Sequence, residues 1–167
     1  MMLSSKFFSF TLPLPMTIER DIKQKHFKNP YNKLTVNLMF TNGWLNNQYA
    51  QILKPYHITE PQYNVLKILR ALHPNPATIN DIIEKMVDKM SNASRLVDKL
   101  IAKELVIKKK SSTDLRAVEV RLTENGVHLL EELTSKIKEL EEFSFGLDEE
   151  EAKNLSLLLE RLRKKNI

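Results

Sequence analysis

INDIIEKMVDKMSNASRLVDKLIAKELVIKKKSSTDLRAVEVRL, residues Ile79 to Leu122, decides the fold of this 167-residue chain. Thr78 stands just before it with Asp81 three residues on, a hydroxyl that can cap a first helical turn and a carboxylate that suits its dipole. Ile79, Ile82, Ile83 and Met86 then recur at helical spacing and predict one buried face. The pattern breaks over Val87 to Met90, and Ser91 or Asn92 can cap a second helix. Leu96, Val97, Leu100 and Ile101 give that second helix its own apolar stripe, while Asn92, Ser94, Arg95, Lys99 and Lys103 fall on its other face. Leu105-Val106-Ile107 and three lysines come next, then a polar tip. Val118, Val120 and Leu122 alternate with Glu119 and Arg121, the period of a strand with one buried side.

Two helices across a tight turn followed by a two-stranded hairpin make a winged helix. A helix with an apolar underside, and with hydroxyls, an amide and cations on top at its start, suits the DNA major groove. The segment resembles the MarR family of winged helix-turn-helix transcriptional regulators. The resemblance is carried by Ser94-Arg95-Leu96-Val97-Asp98-Lys99-Leu100, by Lys103-Glu104-Leu105-Val106, by Asp114-Leu115-Arg116 in the wing, and by the Leu122-Thr123-Glu124-Asn125-Gly126 junction. These runs cover about a quarter of the chain, and the flanking helices match the family layout over roughly Leu34 to Leu162. Two positions depart from the family pattern. Glu104 stands where the family commonly has the Gly that ends the recognition helix in a left-handed turn, a substitution costing on the order of 1 kcal/mol unless the turn is built differently. Leu115 replaces the middle Arg of the wing and removes one cation from its tip.

The resemblance implies a mainly α fold: a winged helix-turn-helix with a two-stranded β wing, flanked by N- and C-terminal dimerisation helices. It also implies a cytoplasmic homodimeric repressor of transcription on double-stranded DNA, released by a small aromatic or anionic effector. Trp44, Tyr63 and His57 could line an effector crevice, or be plain core.

Composition agrees with a globular helical protein. Hydrophobic residues make up 42% and charged residues 28%, and there are only three Gly. The absence of Cys excludes disulfides, thiolate metal sites and thiol-based redox sensing. The four His (26, 57, 73 and 128) are scattered without ligand spacing, so neither a metal nor a cofactor is expected. With no nucleophile–base set and no phosphate loop, an enzyme is not expected either. The net charge is +5, unevenly spread: Lys89 to Arg121 holds nine Lys and Arg against four Asp and Glu, whereas Glu131 to Glu151 holds two against nine. Such a chain meets a polyanion with one face.

Outward from the wing, Thr123 predicts the cap of a long helix to about Phe143, with Val127, Leu130, Leu133, Ile137 and Leu140 at helical intervals. Phe145-Gly146-Leu147 reads as a turn. Asp148 and Glu151 then form a capping box before Leu155, Leu158, Leu159 and Leu162. That last stripe has too little neighbouring chain to cover it, and a second subunit would. On the other side, Thr59-Glu60-Pro61-Gln62 opens a capped helix with Tyr63, Leu66, Leu69 and Leu72 inward. The long helix before it, Tyr31 to Leu53, is apolar on more than one side, which suggests contact with both its own domain and a partner. The first fifteen residues, MMLSSKFFSFTLPLP, loosely imitate a signal peptide but are broken by Pro13 and Pro15, and Met16 offers an alternative start. No stretch is apolar enough to span a membrane. The domains expected are an arm over 1–30, a dimerising helix over 31–57, the DNA-binding unit over 58–123 and dimerising helices over 124–167.

The candidate DNA-binding residues are Ser91, Asn92, Ser94, Arg95, Lys99, Lys109, Lys110, Asp114 and Arg116. Ser91 and Asn92 would donate to phosphate or a base edge, and Ser94 and Arg95 would point into the groove. Arg95 would read guanine bidentately or clamp a phosphate. Lys99 and Lys103 would lie nearer the backbone, and Lys109 and Lys110 would meet phosphates. Arg116 would enter the minor groove, aimed by Asp114 or with Asp114 capping the turn. Two alternatives stay open: a winged-helix DNA binder outside this family, and a helical interaction scaffold, which would explain the leucine stripes but not the wing.

Overall fold

The computed structural model describes residues 17–110, 118–144 and 146–164. The chain forms two compact units, Met1–Trp44 and Leu45–Ile167. In the first, the one-turn helix α1 (Ile18–Asp21) buries Ile18. Glu19 pairs with Lys33 at 2.7 Å, and Lys33 lies in the first turn of the 24-residue helix α2 (Pro30–Leu53). Proline suits the first helical position because its missing amide would have no partner there. The Asn29 carboxamide oxygen accepts the amide of Asn32 at 2.9 Å. Helix α2 runs uninterrupted through Gly43 and leaves Leu34, Met39, Phe40 and Trp44 exposed.

In the second unit, Leu53 is fully buried, and a 3-10 turn over Lys54–Tyr56 ends at His57 in the left-handed conformation (φ 56°). Thr59 and Gln62 form the expected capping box of α3 (Glu60–Leu72), with the Thr59 amide donating to Gln62 Oε1 at 3.1 Å. Tyr63, Leu66 and Leu69 are buried as their spacing predicts, while Leu72 is only half-buried. Val65 and Ile68 are buried too, so α3 is covered on two flanks. It lies against α4 (Ile79–Lys85) and α5 (Ala93–Ile101) and also against α6 (Glu124–Ser144), which makes it the central helix of the unit.

Helix α4 packs through Ile82 and Met86, with Ile79 half-buried. Ile83 corrects the expectation of a four-residue buried face: it is 42% exposed. One residue turns a helix by about 100°, which carries Ile83 off the flank that Ile82 and Met86 bury. Strands β1 (Val106–Lys110) and β2 (Val118–Leu122) pair antiparallel with Val106 opposite Leu122 and Lys110 opposite Val118. A single bridge from Ala77 to Val120 ties the start of the helix-turn-helix to this ribbon.

Thr123 accepts the amide of Gly126 at 3.0 Å and opens α6, which buries Leu130, Leu133 and Ile137. Tyr49 in the last turns of α2 donates to Glu141 at 2.7 Å, and Tyr56 donates to Glu132, so acidic residues of α6 hold the C-terminal part of α2 and the 3-10 turn after it. Helix α7 (Glu149–Arg163) begins with the Asp148–Glu151 capping box, has no buried residue and leaves Leu155, Leu157, Leu158 and Leu162 exposed. Among the described residues no helix is long and apolar enough to cross a membrane.

Candidate nucleic-acid interface

The site is built from the turn between α4 and α5. At the start of α4 the Thr78 hydroxyl accepts the Asp81 amide at 3.2 Å, and Asp81 accepts the Thr78 amide in return at 2.7 Å. These bonds to Thr78 hold the Asp81 carboxyl below the usual carboxylate range. At the other end of α4 the Lys89 ammonium donates to the carbonyls of Ile83 and Glu84, which have no partner within the helix. Val87 donates its amide to Asn64 Oδ1 of α3 at 3.2 Å. Asp88 organises the turn itself. Its carboxylate accepts the Ser91 hydroxyl at 2.6 Å and the Met90 amide at 2.9 Å, bonds that lower its pKa.

Asn92 is the residue that caps α5: its side-chain oxygen accepts the Arg95 amide at 3.0 Å. Ala93, Val97 and Leu100 are buried beneath the helix, and Asn92, Ser94, Arg95 and Lys99 are exposed on its outer face. Among the described residues Arg95 makes no ion pair, so its fork of donors is open to an outside acceptor. Ser91 differs from the expectation, since its hydroxyl proton is already engaged by Asp88 and the side chain is only half-exposed.

The C-terminal end of α5 is tied down on three sides. Asp98 pairs with Lys108 of β1 at 2.5 Å. Lys103 was expected on the DNA-facing side but turns inward, donating to the His57 carbonyl and to Gln62 Oε1. Glu104 is left-handed (φ 58°), so the chain keeps the family's turn geometry with a non-Gly residue in it. Its carbonyl accepts the Thr123 hydroxyl at 2.7 Å. The Leu105 carbonyl accepts the Thr123 amide at 3.1 Å and lies so close to Gly126 that a Cβ there would sit 2.0 Å from it.

Lys109 and Lys110 are both exposed on β1, but consecutive strand residues face opposite sides. Lys110 shares the face of Lys108 and Val106, the face that meets α5, whereas Lys109 stands across from Glu119 on the other. Asp114 and Arg116 lie outside the described residues. Of the three effector-crevice candidates, Tyr63 is plain core: it is 3% exposed with its hydroxyl 3.4 Å from Thr134. His57 is exposed in its left-handed turn, and Trp44 is exposed on α2 in the N-terminal unit.

A capped helix with an open polar outer face, seated on a buried underside beside a basic two-stranded ribbon, defines a winged-helix DNA-binding protein. The sequence profile of the MarR family matches residues 58–118. The uncharacterised HTH-type transcriptional regulator YsmB of Bacillus subtilis is 32% identical over 120 residues, covering 69% of this chain and 81% of YsmB. The HTH-type transcriptional repressor IacR of Pseudomonas putida is 28% identical over 120 residues, covering 71% of each chain. In the solved structures, the DNA complex of Staphylococcus aureus MepR superposes with a TM-score of 0.67 at 25% identity, covering 77% of this chain and 92% of that one. The chain belongs to the MarR family and is a DNA-binding transcriptional regulator.

Proposed function

We propose that this regulator works in the cytoplasm as a homodimeric repressor. Helix α5 of each subunit enters the major groove of a palindromic operator, and a small aromatic or anionic effector releases the complex. The observation that carries the reading is the outer face of α5, where Asn92, Ser94, Arg95 and Lys99 are all exposed over a buried base. Arg95 is the residue for base reading, by the bidentate match of guanidinium to guanine. Ser94 and the Asn92 amide group add donors at the helix start, and Ser91 contributes by holding the turn with Asp88. Lys99 and the wing cations Lys109 and Lys110 meet phosphates, and Arg116, aimed by Asp114, enters the minor groove.

One recognition helix spans only a few base pairs, so selectivity calls for two, set about one helical turn or roughly 34–36 Å apart. The exposed leucines of α7 and the exposed Leu34, Met39 and Phe40 of α2 support a second copy as the partner. On this reading residues 31–57 and 124–167 dimerise and residues 58–123 bind DNA. Repression is inferred from IacR, which carries that role in its name, and the effector from the family resemblance. The test is a titration of purified protein against the DNA flanking its own gene and against scrambled DNA, at two salt concentrations. Selective binding with a steep salt slope is expected. Absence of binding to either duplex at low salt would contradict the reading.

A further inference from the structure

Lys103 sits among the basic residues of the recognition helix, yet its ammonium is not presented with theirs. It lies two residues beyond the end of α5, is half-buried, and donates to the His57 carbonyl and, at 3.3 Å, to Gln62 Oε1. Both acceptors are unusually fixed. His57 occupies a left-handed backbone position that closes the 3-10 turn after α2. Gln62 is 2% exposed, and its other bond is to the Thr59 amide in the capping box of α3. Among the described residues no carboxylate pairs with Lys103, and burial together with the neighbouring Lys99 cation pushes its pKa down. A lysine held this way by neutral oxygens is a strut, with two of its three donors already engaged inside the fold.

We propose that Lys103 is a positioning residue for DNA reading, pinning the C-terminal end of the recognition helix to the start of α3 and thereby setting the angle at which Ser94 and Arg95 approach the bases. The geometry makes the lever long. Nine residues at 1.5 Å each put the start of α5 about 13 Å from its end, so a tilt of about 10° at Lys103 moves the base-reading residues by about 2 Å. A hydrogen bond to a base edge does not survive that displacement, whereas mobile phosphate contacts do. Loss of Lys103 should therefore lower selectivity while sparing nonselective affinity, a signature no phosphate-contacting lysine can give. The inference rests on the reading that α5 enters the major groove.

The experiment compares wild type, Lys103→Met, Lys103→Arg and Arg95→Ala on a duplex selected by the wild-type protein from a random library and on a scrambled duplex, across a salt series. Lys103→Met should bind the selected duplex about tenfold more weakly, as for one lost base contact. It should bind the scrambled duplex as wild type does, with an unchanged salt slope. Lys103→Arg, which can still donate to both oxygens, should recover most of the loss. Equal weakening on both duplexes, with a slope smaller by about 0.9, would make Lys103 a phosphate contact and overturn the inference. So would unchanged binding to both. Arg95→Ala separates the two claims, because if it leaves selectivity intact the placement of α5 itself is wrong. Lysine methylation of the wild-type protein covers the case of a variant that does not fold. Lys103 should react slowly with and without DNA, while Lys109 and Lys110 react readily and are protected by it. Fast, DNA-protected methylation of Lys103 would again overturn the strut.

Discussion

Helices α5 and α7 are written in the same sequence language and end in opposite situations. Each is capped by a side-chain oxygen, Asn92 or Asp148, and each carries apolar residues at helical spacing beneath a charged face. Helix α5 buries Ala93, Val97 and Leu100 within its own chain and is tied at its end to β1, to α3 and to the start of α6. Helix α7 buries nothing: Leu158 is 57% exposed and Leu162 54%. The difference teaches that an apolar stripe specifies burial without specifying against what. For α5 the chain itself supplies the cover, and for α7 the proposed cover is a second copy.

Truncation breaks this comparison most sharply. Leu100→Ala, at a fully buried site, should cost about 2–5 kcal/mol in a denaturant titration, enough to unfold much of the DNA-binding unit. Leu158→Ser with Leu162→Ser should leave the DNA-binding unit folded and convert dimer to monomer in sedimentation equilibrium. A dimer that persists in that double variant would remove α7 from the interface. On the outer face of α5, Arg95→Ala should cost about 1–3 kcal/mol of selective binding while stability changes by less than about 0.5 kcal/mol. A fall in melting temperature matching the fall in affinity would instead assign Arg95 to the fold.

At the end of α5, Glu104→Gly should stabilise the protein by about 1 kcal/mol, because the left-handed φ of 58° strains any side-chain-bearing residue. A destabilised Glu104→Gly variant would show that contacts of the Glu side chain outweigh the strain. The smallest effect concerns pH. Asp88 has its pKa lowered by Ser91 and Met90 below the ordinary 3.8, so its contribution is fully present above that value and is lost as pH falls through the lowered one. Asp88→Ala should therefore reduce the acid sensitivity of melting below pH 3.8 and leave the shape of the profile above it unchanged.

The features readable from sequence were local. The caps at Thr78, Thr59, Thr123 and Asp148 are set by residues three apart, and all four are where the spacing puts them. The exposed positions on α5 are dictated by the same helical period, but in β2 the period of two fixes only Val120 as buried: Val118, expected on the same covered side, is 42% exposed, because the core lies under the Val120 end of the ribbon. Non-local bonds were not legible. Nothing near Lys103 in the chain announces that a carbonyl 46 residues away will hold its ammonium. Lys89 and Lys108 likewise count as basic surface in a charge tally, yet one closes the end of α4 and the other pairs with Asp98. Ile83 shows the same limit, since helical spacing marks an apolar stripe and not which flank of it the rest of the fold covers. The role of Asp88 was readable in principle from an Asp with a Ser three residues later, a spacing that favours a local side-chain turn.

The most direct test of the central claim is a hydroxyl-radical footprint of the wild-type protein on the duplex it selects from a random library. Two helices α5 related by a twofold axis predict two protected half-sites of inverted sequence, centred about 10–10.5 base pairs apart. A single protected patch, or protection without inverted symmetry, would contradict the paired reading of DNA by α5.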